Sequence, residues 1–165
     1  MRNIYRVCMV ALTVMFFQTV KGSDVKVPPA TKYKCMVQMT NYMGEGAYIV
    51  VSLVNSKGVY EKTLYVMGSD KKWYKNLEAW YAAYAKKPSD ISAVTGASVT
   101  GGDRSVVVLD IDDAKINSGY KLRFETAVED KKYYEKDLEI PLTTEGMSAK
   151  TEGAGYIRYV RLSAN

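Results

Sequence analysis

The chain has 165 residues, 47% of them hydrophobic, with 23 Lys and Arg against 18 Asp and Glu for a formal charge of +5, and it contains no histidine. The absence of imidazole excludes the usual His-containing metal sets and the Ser-His and Cys-His nucleophile pairs, and removes the commonest general base of hydrolytic enzymes. Two cysteines, Cys8 and Cys35, exclude a disulfide-dense scaffold.

Residues 1–22 read as a cleavable secretory leader. Arg2 and Arg6 form a basic start, the run 7–17 is apolar except for Thr13, and Val20-Lys21-Gly22 fits a small-residue cleavage site after Gly22. A transmembrane helix needs roughly 20 apolar residues, more than this run supplies. Cleavage leaves 143 residues with 20 basic and 18 acidic side chains, a net charge of +2. Charge therefore gives no support to nucleic-acid binding. The expected location is periplasmic or secreted. Only Cys35 survives cleavage, so no internal disulfide is expected, and its apolar neighbours predict burial.

Residues 23–32, with Pro28 and Pro29, read as a tether, and residues 33–165 as one folded domain. The segments 33–41 and 47–55 are rich in Val, Ile, Tyr and Met and flank Gly44-Glu45-Gly46, for which a hairpin is the simplest link. Asn55-Ser56-Lys57-Gly58 marks the next turn, and 59–67 alternates as a third strand. The period then changes. Trp73, Leu77, Trp80, Tyr81 and Tyr84 predict an amphipathic helix with Trp73 and Trp80 on one face, Asp70 as N-cap, an end near Lys86, and Pro88 preventing continuation. Residues 88–104 read as a long ordered loop, followed by strands at 105–111, 120–129, 133–141 and 156–162. Turns are expected at 117–119 and 130–132. The fold class predicted is mainly β, an antiparallel sandwich of about seven strands with one amphipathic helix.

Loops of this length in compact domains often carry function. This one holds Ser92-Ala93-Val94-Thr95-Gly96-Ala97-Ser98-Val99-Thr100. The string Ala-Val-Thr-Gly-Ala-Ser resembles the attachment motif of bacterial flavin transferases, which join FMN through its phosphate to a Thr or Ser hydroxyl. That motif runs Asp-x-x-Ser/Thr-Gly-Ala-Thr/Ser. The resemblance implies Ser98 as acceptor, with Thr95, Gly96 and Ala97 before it and Thr100 after it. Ser92 stands where the motif has Asp, with Asp90 two residues earlier. A phosphoester needs an accessible hydroxyl, and small residues at 96 and 97 keep bulk away from it. Trp73 is the candidate wall for a flavin ring, against the alternative that both tryptophans simply pack the helix on the sheet. Lys71, Lys72 and Arg104 are the cations near enough in sequence to neutralise a phosphodiester.

The order of parts is similar to a periplasmic family of unknown function, number 2271. An aromatic-rich strand precedes Trp73-x-x-x-Leu77-x-x-Trp80, then Ala93 to Ser98, then strands, over roughly residues 33–142. That resemblance implies an Ig-like β-sandwich and, with the attachment motif, a periplasmic electron-transfer protein carrying FMN on Ser98. It would be a redox carrier more than a substrate-turning enzyme. The partners implied are a flavin transferase and a membrane or periplasmic redox protein. The alternative is a cofactor-free sandwich that binds a cell-envelope ligand through its loops, and a hydrolase is disfavoured by the missing histidine. Asp110, Asp112 and Asp113 lack the glycine and terminal Glu of a calcium loop and predict no metal site. Glu125, Glu129, Glu135 and Asp137 alternate along strands without an assignable pairing.

Overall fold

The computed structural model describes residues 29–165. The expected leader and residues 23–28 of the expected tether lie outside the described residues. In chain order the elements begin with β1 (Ala30–Met39), β2 (Tyr48–Val54) and β3 (Tyr60–Met67). A 3-10 helix at Lys71–Asn76 and α1 (Glu78–Tyr84) follow, and a 3-10 turn at Ser92–Val94 leads into β4 (Thr95–Gly96). The chain continues through β5 (Arg104–Asp112), β6 (Lys121–Ala127), β7 (Tyr134–Pro141), α2 (Thr144–Ser148), β8 (Lys150–Glu152) and β9 (Ile157–Ala164).

The strands form two sheets, four-stranded in the order β5-β1-β9-β8 and five-stranded in the order β4-β3-β2-β6-β7. All pairs are antiparallel except β3 with β4. The expected mainly-β sandwich is the observed fold, with nine strands where about seven were expected, because β4 and β8 are too short to show a period. β1 also begins three residues early, with Ala30, Thr31 and Lys32 paired to Asp112, Ile111 and Asp110.

The first two strands do not form a hairpin. β1 belongs to the four-stranded sheet and β2 to the other, so residues 40–47 cross between layers. Thr40 N and Oγ1 both donate to Tyr156 O, and Ala47 exchanges backbone hydrogen bonds with Val99, so the crossing is tied at one end to the entry of β9 and at the other to the segment after β4. The Asn55–Gly58 turn does close a hairpin, between β2 and β3.

Alternate residues of each strand face the layer between the sheets. Cys35, Val37 and Met39, then Val107, Leu109 and Ile111, meet Ile49, Val51, Phe124 and Ile140 there. Cys35 is buried as predicted, and burial pushes its thiol up to about 12, so it stays protonated and unreactive near neutral pH. The five-stranded sheet is covered on its outer side as well. Val50 and Val66 pack there beneath Tyr74, Leu77 and Trp80, which explains why β2 reads as a nearly unbroken apolar run.

One buried carboxylate ties the C-terminal part of the sandwich together. Asp137, on β7, accepts hydrogen bonds from Thr126 Oγ1 (2.7 Å) and from the backbone N–H groups of Gly155 (2.7 Å), Tyr156 (2.8 Å) and Ile157 (3.0 Å). Those donors belong to β6 of one sheet and to the turn entering β9 of the other. Hydrogen bonds to a charged group are worth about 1.5–3 kcal/mol each, and a buried donor left unpaired costs a similar amount. Asp137→Asn keeps the shape but turns an NH2 toward N–H donors. It should lower the stability in urea by about 2–4 kcal/mol with an unchanged denaturant slope; a loss below about 0.5 kcal/mol would show that the clamp is dispensable.

Candidate functional site

The motif segment is pinned at both ends. Thr95 and Gly96 run parallel to Val66 and Met67, Gly96 O accepts from Gly68 N at 2.7 Å, and Thr95 Oγ1 donates to Ile91 O at 2.7 Å. Three residues on, Val99 is bridged to Ala47 by N–H to O distances of 2.8 and 3.1 Å. Tyr42 reinforces that bridge, its hydroxyl accepting from Ala47 N at 2.8 Å and donating to Val99 O at 2.7 Å. Between the two anchors Ala97 and Ser98 are exposed, so the Ser98 hydroxyl is presented on a fixed backbone. The expected long loop thus contains a 3-10 turn, a two-residue strand and a bridge.

Ser98 stands between two recesses. The first, of about 170 Å3, is bounded by Gly46, Tyr48, Trp73, Asn76, Ser98 and Glu129. The second, of about 250 Å3, runs from Gly96 through Ala97, Ser98 and Thr100 to Arg104. Of the residues singled out in the sequence, the fold therefore groups Ser98, Trp73, Gly96, Ala97 and Thr100. Thr95 and Ser92 line neither recess. Thr95 holds the loop base, and Ser92 is exposed, with its N–H and hydroxyl bonded to Asp90 Oδ1 at 2.9 and 2.7 Å. The Ser92 hydrogen bonds hold the Asp90 carboxylate below its usual range.

The far wall of the first recess comes from residues that no local pattern in the sequence marks. Gly46 sits so close that a Cβ there would meet Ser98 Oγ at 2.6 Å. Gly68 has φ +141°, and a Cβ there would run into the Tyr48 ring at 2.1 Å, so the ring lies directly over bare backbone. Tyr48 Oη accepts from Asp70 N at 3.3 Å. Asp70 also caps the 3-10 helix, as expected, by accepting from Lys72 N, and it pairs with the Lys72 ammonium at 2.9 Å. That ammonium lies 5.1 Å from the Trp73 ring centre.

The predicted single helix is two pieces. Leu77, at φ −92° and ψ 70°, breaks the run between the 3-10 helix and α1, which ends at Tyr84. The change of winding moves Trp73 off the buried stripe. Tyr74, Leu77 and Trp80 face the sheet, while Trp73 is half-buried beside Ser98, so the two tryptophans do not share a face. Trp80 is the structural one. Its indole donates to Thr63 Oγ1 at 2.8 Å and its backbone N–H to Glu125 Oε2 at 3.0 Å. Tyr133 Oη donates to the same carboxylate oxygen at 2.6 Å and accepts from Ala79 N at 3.0 Å. Glu125 thus has a pairing after all, with the start of α1. Burial raises its carboxyl above the ordinary range despite the two donors that oppose the shift.

Lys72 is drawn up chiefly by Asp70 and further by Glu129. Glu45 and Glu129 make the first recess acidic, whereas Asp103 and Arg104 both border the second, Arg104 Nε donating to Gln38 Oε1 at 3.1 Å. Among the described residues no group of three or more His, Cys, Asp or Glu is arranged to hold a metal ion.

Residues 30–159 match a family described as "Predicted periplasmic protein (DUF2271)". No curated protein and no solved structure matches the chain.

A carboxyl whose pKa is raised on folding supports the native state below its unfolded value and loses that support as pH rises through the folded value. Stability should therefore fall as pH climbs from the ordinary Glu range through the raised value of Glu125, and Glu125→Gln should flatten that part of the profile. Urea denaturation at a series of pH values checks this; parallel wild-type and variant curves would count against it. Gly46→Ala should displace the Ser98 side chain, read as a shift of the Ser98 amide and Cβ resonances with the fold retained.

Proposed function

From the premise that the chain is a member of the DUF2271 family and is periplasmic, we propose that it is an electron-transfer protein carrying FMN on Ser98 through a phosphoester. The observation that supports this most is the exposed Ser98, held on a backbone anchored at both ends and set between a recess lined by Trp73 and Tyr48 and one lined by Asp103 and Arg104. When bound, the flavin supplies the redox chemistry.

The residues present fit such a group. Trp73 and Tyr48 line the recess beside Ser98, which suits a planar aromatic body. Of the residues lining the two recesses Arg104 is the one cation, with Asp103 beside it in the second, so it is the candidate partner for the phosphodiester. Attachment requires an activated donor such as a flavin dinucleotide. Ser98 Oγ gains the bond to phosphorus and gives up its proton, while the pyrophosphate bond breaks and a nucleoside monophosphate leaves. A flavin transferase would act during maturation, and a membrane or periplasmic redox protein in use. The Ig-like character of the sandwich belongs to the same reading.

Ser92 in the place of the motif's Asp favours the second reading, a cofactor-free envelope-binding module. Intact mass after co-expression with a flavin transferase separates the two. The expected result is a gain of one FMN less water, lost in Ser98→Ala and more complete in Ser92→Asp. An unmodified mass beside a modified control substrate overturns the flavin reading and leaves the binding module. In loaded protein, Trp73→Ala should raise flavin fluorescence several-fold, because an aromatic ring in contact quenches it.

A further inference from the structure

The two sheets have four edge strands, β4, β7, β8 and β5. Long unprotected edges are templates for pairing with another chain, and proteins blunt them by shortness, charge or proline. β4 has two residues and β8 three. β7 carries Glu135, Lys136 and Glu139 and ends in Pro141. β5 has nine residues and exposes Val106 (58%) and Val108 (44%) along its length. Among the described residues its backbone pairs with β1 alone, leaving the outer flank without a hydrogen-bond partner. A recess of about 250 Å3 separates residues 103–107 of that flank from Tyr65, Met67 and the 96–100 segment.

The outward side chains of β5 read Arg104, Val106, Val108, Asp110, a cation and an anion enclosing two apolar residues. Laid antiparallel on itself about a two-fold axis through Val107, this strand sets Arg104 against Asp110 of the second copy and Val106 against its Val108, each pair occurring twice. Opposite charges and matched apolar residues directly across a pair of strands are stabilising. Moving the axis to Val108 would set Val106 against Asp110, so the pattern selects one register. Neither charge is committed elsewhere. Arg104 uses only Nε, on Gln38, and Asp110 makes no ion pair among the described residues.

We propose that the chain forms a two-fold dimer in which β5 pairs antiparallel with β5 of a second copy in the register centred on Val107, joining two four-stranded sheets edge to edge. The interface is isologous, so it closes at two copies and leaves no further free β5 edge to propagate. This stands on the strand edge and shares Arg104 with the proposed function; sedimentation and intact mass read the two separately.

Sedimentation velocity over a micromolar to sub-millimolar concentration series tests it on the mature chain. The wild type should show a reversible monomer–dimer equilibrium. Arg104→Glu and Asp110→Arg should each weaken it by roughly ten-fold or more, since each places like charges opposite one another twice. An equimolar mixture of the two variants should recover the dimer, because every introduced charge then faces its opposite. Thermal melts matching the wild type establish that both variants fold, and Val108→Thr, which keeps the β-branched shape, should weaken association without any change of charge. A monomer at every concentration overturns the proposal. So does a dimer that ignores the charge reversals, or one that the mixture does not restore.

Discussion

Trp80 makes two hydrogen bonds into the five-stranded sheet, through the indole to Thr63 and through the backbone to Glu125, while its ring stacks on Tyr84 at 5.0 Å and meets the edge of Tyr74 at 5.3 Å. Buried polar groups tolerate few alternatives, because each lost partner leaves a desolvated donor or acceptor. The helical segment is therefore held in one position along the sheet as well as pressed onto it. Tyr74, fixed by that contact, lies against Tyr48 at 6.4 Å, and Tyr48 forms the back of the recess beside Ser98. A core contact three rings away thus sets the wall of a surface site.

The second dependence is on the crossing at residues 40–47. Had β1 and β2 formed a hairpin, Gly46 and Ala47 would lie at the tip of a turn, remote from the motif segment. Because the chain changes layers there, Ala47 is free to bridge Val99, and Gly46 comes up against Ser98. The acceptor hydroxyl owes its fixed position to a backbone contact across more than 50 residues.

Local rules account for what was legible in the sequence. Strand-forming composition, alternation and turn residues located β1, β2, β3, β5, β6, β7 and β9, since each is long enough to show an apolar run or period two and ends at a Gly, Asn, Asp or Pro signal. Which sheet a strand joins is a different matter. Gly44-Glu45-Gly46 suits a hairpin and a crossing equally, and only Tyr42, Tyr156 and Val99 decide between them. The break at Leu77 was illegible for a similar reason, because spacings of three and four residues fit a 3-10 turn followed by an α-turn as well as one helix. Small hydroxylated residues marked the loop around Ser98. Its opposing wall, Gly46, Tyr48 and Glu129, is assembled from three other segments. Glu125 and Asp137 looked like ordinary alternating charges because their partners at 80, 126, 133 and 155–157 are mostly distant in sequence or carried by backbone.

β9 lies in the middle of its sheet, between β1 and β8, although it is the final strand of the described chain. β1, which starts the fold, pairs with residues 157–164, 118 to 131 positions later. Contacts of such separation are closed late and slowly in folding. Until that segment is available, β1 has only β5 beside it and the turn clamped by Asp137 has no strand to introduce. A chain emerging N-terminus first cannot finish this sandwich on the receiving side before residues 157–164 have emerged. Completion of the four-stranded sheet is thus coupled to the arrival of the whole span from β1 to β9.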